Sequence, residues 1–236
     1  MSVMALMLMV VMALSVTACG SKSEEKPAEE PEKEEEQEED WSGPELSEDQ
    51  MDDLYQQAAE QSLKAEYADY MPDKIFGHAE TFNIARDGDK GTWDAFLVTG
   101  EYVVLDGKAY CVSGANGEAI LKFDYTKDGP KLNEVVWSTD GGGHEEWLKE
   151  NFTEEGLKYD KEFLKNEKAV DELTEIVDKK ASDELGVPVE KDLMLDIDKD
   201  AGTYEIVKTI ESGNVDDGTY KFDTETVKKG KLEDLK

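Results

Sequence analysis

Apolar and polar positions fall into three regimes along the chain. Residues 1–18 are uncharged and mostly apolar, residues 20–40 hold a single apolar side chain, Ala28, and from Trp41 onward apolar positions recur with helical or strand period. In the third regime Ser47 and Gln50 have the spacing of a capping box, and Met51, Leu54, Tyr55, Ala58, Leu63 and Tyr67 follow near the helical repeat, predicting a helix over 47–70 that Pro72 closes. Short β-favouring runs come next, at 81–85, 92–105, 108–113, 118–125 and 131–138. The dipeptides between or beside them, Asp87-Gly88, Asp106-Gly107, Asn116-Gly117 and Asp128-Gly129, are turn chemistry, and the second and fourth sit where hairpin turns belong. These runs predict an antiparallel meander.

Beyond the glycines at 141–143 the period becomes helical again. A short amphipathic helix presents Trp147, Leu148 and Phe152, and a longer one over 161–185 carries the stripe Phe163, Leu164, Val170, Leu173, Ile176 and Val177 until Gly186 and Pro188 stop it. Alternation returns at 193–197, 203–210 and 219–222. Helix, sheet, helix, helix, sheet is an α+β order: an antiparallel β-meander packed by helices, followed by a smaller helix-plus-antiparallel-sheet unit. The expected divisions are a signal peptide over 1–18, a linker over 19–45, an α+β domain over 46–155 and a helix plus β-hairpin subdomain over 156–236.

The first regime carries an address. From Val3 to Val16 the apolar run is shorter than the roughly 20 residues of a membrane-spanning helix and has the length of a secretory core segment. Small residues follow it, and Val16-Thr17-Ala18-Cys19 resembles the lipobox of bacterial lipoproteins. That resemblance implies secretory export, diacylglyceryl transfer to the Cys19 sulfur, cleavage before Cys19 and acylation of the new amine. Two or more acyl chains hold a protein on a bilayer stably, where one holds it marginally. The segment before Val3 lacks the Lys or Arg of an ordinary signal peptide, which points to a start upstream of Met1.

The second regime reads as a tether. Glutamates from Glu24 to Glu39 dominate it, Pro27 and Pro31 prevent a continuous helix, and so little apolar surface cannot offset the entropy of ordering. Mutual repulsion should extend it, which suits a spacer through the cell wall better than an acidic tail recruiting a basic partner.

Charge narrows the partners. The formal net charge of −32 belongs to the part after the uncharged signal segment. Nucleic-acid binding, which needs Lys and Arg against phosphates, is not expected, and neither is adhesion to anionic lipid through basic patches. Of the two cysteines, a lipidated Cys19 leaves Cys111 without a partner in the chain.

Between Phe76 and Phe152 the order of motifs is Thr81 to Ile84, then the run Glu101 to Tyr110, Ser113-Gly114, Ile120 to Phe123, and Thr139-Asp140-Gly141 leading to Asn151-Phe152. This resembles an uncharacterised domain of lipoproteins from Gram-positive gut bacteria and is similar to the extracytoplasmic tail of some membrane metallopeptidases of the beta-lactam sensor type. It covers about a third of the chain. The chain has no His-Glu-x-x-His, so metallopeptidase activity does not carry over.

Residues able to carry chemistry are few. His144 follows three glycines and Asp140 at a helix start, where backbone N–H groups could hold an anion, but Glu145 and Glu146 would repel one, so a dipole-matched turn is the stronger expectation. His78 has no partner nearby in sequence, and with Cys111 the one available thiolate no zinc site is expected. Cys111 itself reads as a small buried strand residue rather than a nucleophile paired with His144. Asp196, Asp198 and Asp200 alternate as in a calcium loop, yet Ala201 and Val207 stand where Gly and Glu are required, so a hairpin turn is favoured, with weak calcium binding by the acidic surface as a further expectation. Trp93, Tyr102, Tyr110, Tyr125 and Trp137 lie on or beside the strands, and Trp93 and Trp137 are candidates to grip a glycan, peptide or protein ligand, the alternative being core packing. No cofactor is expected. The sequence thus leads to a lipid-anchored extracytoplasmic, non-catalytic binding or regulatory module, with a secreted carboxylate hydrolase and a structural or immunity-type envelope lipoprotein as alternatives.

Overall fold

Ser47 accepts the Gln50 backbone N–H at 3.2 Å while the Gln50 side chain accepts that of Ser47 at 2.9 Å, and this reciprocal cap starts α1, Glu48–Ser62. The computed structural model describes residues 46–127, 129–139, 141–212 and 221–235. All of them fall in one compact unit. α1 ends earlier than its periodicity predicts. Past Leu63 the backbone N–H groups of Glu66 and Tyr67 are taken by the carboxylates of Glu101 and Asp73, at 2.7 and 2.6 Å, so the chain turns instead of continuing the helix.

Four long strands then form the meander, in the order β1 Asp73–Asp87, β2 Lys90–Leu105, β3 Lys108–Thr126 and β4 Gly129–Trp137, each antiparallel to the next. The turns follow their sequence. Gly88 supplies φ +58° in the first hairpin, and Asp106 and Gly107, at φ +52° and +75°, make the second a type I′ turn. Asn116-Gly117 is not a turn: β3 runs straight through it, pairing Asn116 with Val98 and Gly117 with Leu97. Pairing to β2 along its whole length overrides the local turn preference there.

After the 3-10 turn Gly141–Gly143 come α2 His144–Asn151, α3 Glu154–Phe163 and α4 Ala169–Leu185. The single helix expected over 161–185 is therefore two. The chain turns between them at Asn166, whose N–H reaches the Phe163 carbonyl, whose carbonyl receives the Ala169 N–H, and whose side chain accepts the Lys168 N–H. Thr153 caps α3 by accepting the Gly156 N–H at 2.9 Å, and Gly186, at φ +71°, ends α4.

β2 explains the layering. It is buried almost throughout, its side chains alternating between two cores. Trp93, Ala95 and Leu97 face α1 through Leu54, Tyr55 and Ala58, while Phe96 and Val98 face Leu148, Leu173, Val177 and Ala181 of α2 and α4. Burying each of the larger side chains stabilises the fold by about 1.5–3 kcal/mol. Helices from beyond residue 155 thus complete the meander rather than standing apart in a subdomain, because their apolar stripe finds its cover on the sheet. The smaller sheet, β5 Leu193–Asp198, β6 Thr203–Ser212 and β7 Lys221–Lys231, is antiparallel and shares a third core with Val103, Leu105 and Tyr110 through Leu195, Tyr204 and Ile206. The architecture is the expected α+β arrangement. No helix among the described residues is long and apolar enough to cross a membrane.

Candidate binding groove and buried carboxylates

β1 is an outer strand of the meander, and its free edge changes character along its length. At one end the edge is capped. The Gln56 side chain donates to the Ile75 carbonyl at 2.7 Å and accepts the Gly77 N–H at 3.2 Å, and Lys180 of α4 donates to the Gly77 carbonyl at 2.8 Å. Lys180 also pairs with Asp52, which lies 3.2 Å from His78 Nδ1. Burial and the Lys180 charge lower the His78 pKa, so the imidazole is neutral at pH 7.

Past Ala79, which is buried under α1, β1 borders a groove. One depression of about 510 Å³ runs between α1 and β1, and a second of about 630 Å³ lies between β1 and α3; they meet at Met51 and Glu80. Glu48, Asp49 and Asp52 line the α1 side, Glu155 and Glu162 the α3 side, and Glu80 the floor between them. Apolar surface is interleaved with this charge: Ile84 and Tyr159 are 49% and 43% exposed, and Met51, Phe82 and Phe163 stand behind them. The partial burial of Glu80 raises its carboxyl above the ordinary range. On α3, Glu155, Tyr159 and Glu162 share a face by their i, i+4, i+7 spacing, which is the one sign of this groove in the sequence.

The residues singled out by the sequence lie elsewhere. Trp93 is fully buried, its ring 4.3 Å from that of Phe123 and its Nε1 donating to the Tyr125 hydroxyl, so it is core and not a ligand platform. Trp137 is half-buried against the α1 core and donates to Ser62 Oγ at 3.2 Å. Cys19 and Asp140 lie outside the described residues. His144 opens α2, with Nε2 3.1 Å from Oε2 of the buried Glu118. Next to that pair is a carboxyl the sequence did not flag, the buried Asp160, whose Oδ1 has no hydrogen-bond partner. Burial first, and then the Glu118 charge, push Asp160 up to about 6. Asp94, also buried, accepts both the N–H and the hydroxyl of Thr153, at 2.9 and 2.5 Å, and so anchors the start of α3 beside the groove.

Cys111 is not the buried strand residue that alternation predicts; it is exposed, and its Sγ donates to the Ser113 carbonyl at 3.3 Å. Desolvation of the sulfur and the nearby Asp178 push the thiol up to about 11, leaving it protonated and weakly nucleophilic at pH 7. Cys111 and His144 are engaged with separate partners and form no nucleophile–base pair. Asp198 accepts the Ala201 N–H at 2.8 Å and shapes the β5–β6 hairpin turn. Among the described residues no group of three His, Cys, Asp or Glu side chains is arranged to hold a metal ion. Comparison of the chain with protein-family models, with curated proteins and with solved structures finds no match.

Proposed function

We propose that this is a lipid-anchored extracytoplasmic protein that acts without catalysis, as a binding module whose ligand site is the groove along β1. The observation that carries the reading is that groove: an open, partly apolar depression on a rigid sheet edge, walled by two helices, with its polar groups converging from three elements. The lipobox at Val16 to Cys19 and the acidic stretch behind it support the anchored location.

Two experiments test the two halves of the proposal. Cells expressing the wild type are fed a labelled fatty acid: label on the protein, lost in Cys19→Ala, is expected, and an unlabelled wild type removes the anchor. Thermal shift against peptides, glycans and calcium should give stabilisation by one class, abolished by Tyr159→Ala. A panel without any shift, or a shift that Tyr159→Ala leaves intact, ends the groove assignment.

A further inference from the structure

α3 is held on the sheet unevenly along its length. Its start is pinned: Asp94 of β2 accepts the Thr153 N–H and hydroxyl, and the backbone passes so close that a Cβ on Gly156 would collide with the Asp94 carboxylate. Beyond that turn the hold is weaker. The fully buried residues of α3 are Gly156 and Asp160, so its one fully buried side chain is an acid, whereas α4 buries Ala169, Leu173, Val177 and Ala181 against the sheet. Leu157 and Phe163 add half-buried apolar contacts, the Phe163 ring lying 5.5 Å from that of Phe82 and 5.2 Å from that of Phe96. Asp160 is 3% exposed, and its Oδ1 has no hydrogen-bond partner among the described residues. The charges it faces are Glu118 of β3, His144 of α2 and, on α3 itself, the exposed Lys161. Glu118 is already served by His144 Nε2 at 3.1 Å and by the Ser138 hydroxyl at 3.5 Å, and a single imidazole can neutralise one of the two carboxylates. Of the other acids near α3, Asp94 is bound to Thr153 and Glu80 of β1 lies across the groove.

We infer that α3 is a proton-controlled flap: it lies closed on the sheet while Asp160 holds a proton, and it opens about its pinned start when Asp160 ionises beside Glu118. A carboxylate removed from water, given no donor and set next to a second carboxylate is costly, and opening relieves that cost by returning the charge to solvent. The rise of the Asp160 carboxyl to about 6 agrees with this placement. The closed state therefore binds the proton more tightly than the open one, so closure is fully favoured below the ordinary Asp range and is lost as pH rises through about 6. Glu155, Tyr159, Glu162 and Phe163 of the same helix line the depression beside β1, so the flap is also a wall of the groove. The device stands apart from what the groove binds, and it can be read without a ligand.

The test follows backbone amide hydrogen exchange of the full chain at about pH 5 and about pH 7.5, each rate divided by the intrinsic rate at that pH. Protection of the α3 amides is expected to fall about tenfold between the two conditions, while that of α4 stays within about twofold. Asp160→Asn, which has nearly the same shape and cannot ionise, should remove the fall in α3. Glu118→Gln takes away the neighbouring charge and should shrink the fall, which keeps the test decisive if Asp160→Asn does not fold. A loss of protection shared equally by α3 and α4 would make the response global and overturn the flap. So would a fall that survives in Asp160→Asn, or one that Glu118→Gln leaves at its full size.

Discussion

Glu101 and Asp73 are neighbouring carboxylates that hold consecutive backbone N–H groups of the segment after α1, Glu101 that of Glu66 at 2.7 Å and Asp73 that of Tyr67 at 2.6 Å. Glu101 is buried and its carboxyl is pushed up to about 7, by desolvation first and by the neighbouring Asp73 charge second. Asp160, at about 6, is raised in the same direction. Both acids bind protons more tightly folded than unfolded, so their contribution to stability is fully present at about pH 4 and is lost as pH rises toward about 7.

The Glu101→Gln variant keeps an oxygen that accepts the Glu66 N–H, but it cannot ionise. Urea unfolding should find it more stable than wild type by about 1–2 kcal/mol at about pH 7.5, with the difference gone at about pH 4.5. Parallel pH profiles for the two proteins would show that Glu101 is not the titrating group.

The fit of α1 on β1 is tested at Gly77. A Cβ there would stand 2.4 Å from Cβ of Ala59, so Gly77→Ala should destabilise by about 1–3 kcal/mol. Ala59→Gly alone should cost about 1 kcal/mol of helix propensity. The double variant should cost less than the sum, and additive costs would place the two residues out of contact.

Thiol reactivity reads the environment of Cys111. In a Cys19→Ser protein, iodoacetamide at about pH 8 should alkylate Cys111 roughly a hundredfold more slowly than free cysteine, with the rate still climbing above about pH 10; denaturation should remove the difference. A native rate equal to that of free cysteine would contradict a raised thiol pKa.

The two tryptophans proposed as ligand contacts should separate by stability. Trp93→Ala removes a fully buried ring and should cost about 3–5 kcal/mol, whereas the half-buried Trp137 should cost clearly less. Equal costs in urea unfolding would contradict their different burial.

Local signals and the final fold agree where short-range chemistry decides the outcome. The Ser47 cap, the Asp106-Gly107 turn, the meander order and the stop at Gly186 all depend on neighbours in sequence, and each is present. The end of α1 depends on Glu101 and Asp73, and the passage of β3 through Asn116-Gly117 depends on β2, which no local window contains. The groove was hidden for the same reason: it requires knowing that β1 is an outer strand and that α3, some seventy residues on, lies beside it, as the Asn83–Thr153 hydrogen bond across 70 positions records. His144 was noticed for its glycines, but its partners Glu118 and Asp160 carry no sequence signature.

The double cover of β2 also constrains the order in which the protein can be built. One of its faces is closed by α1, which precedes it, and the other waits for α4, whose Asp178 reaches Tyr102 across 76 positions. A chain emerging from its N-terminus therefore carries an apolar strand with one bare side until residues near 181 have been delivered. Folding is a late event, completed after most of the polypeptide has been released, and until then the nascent chain depends on its surroundings to keep that side from sticking to others.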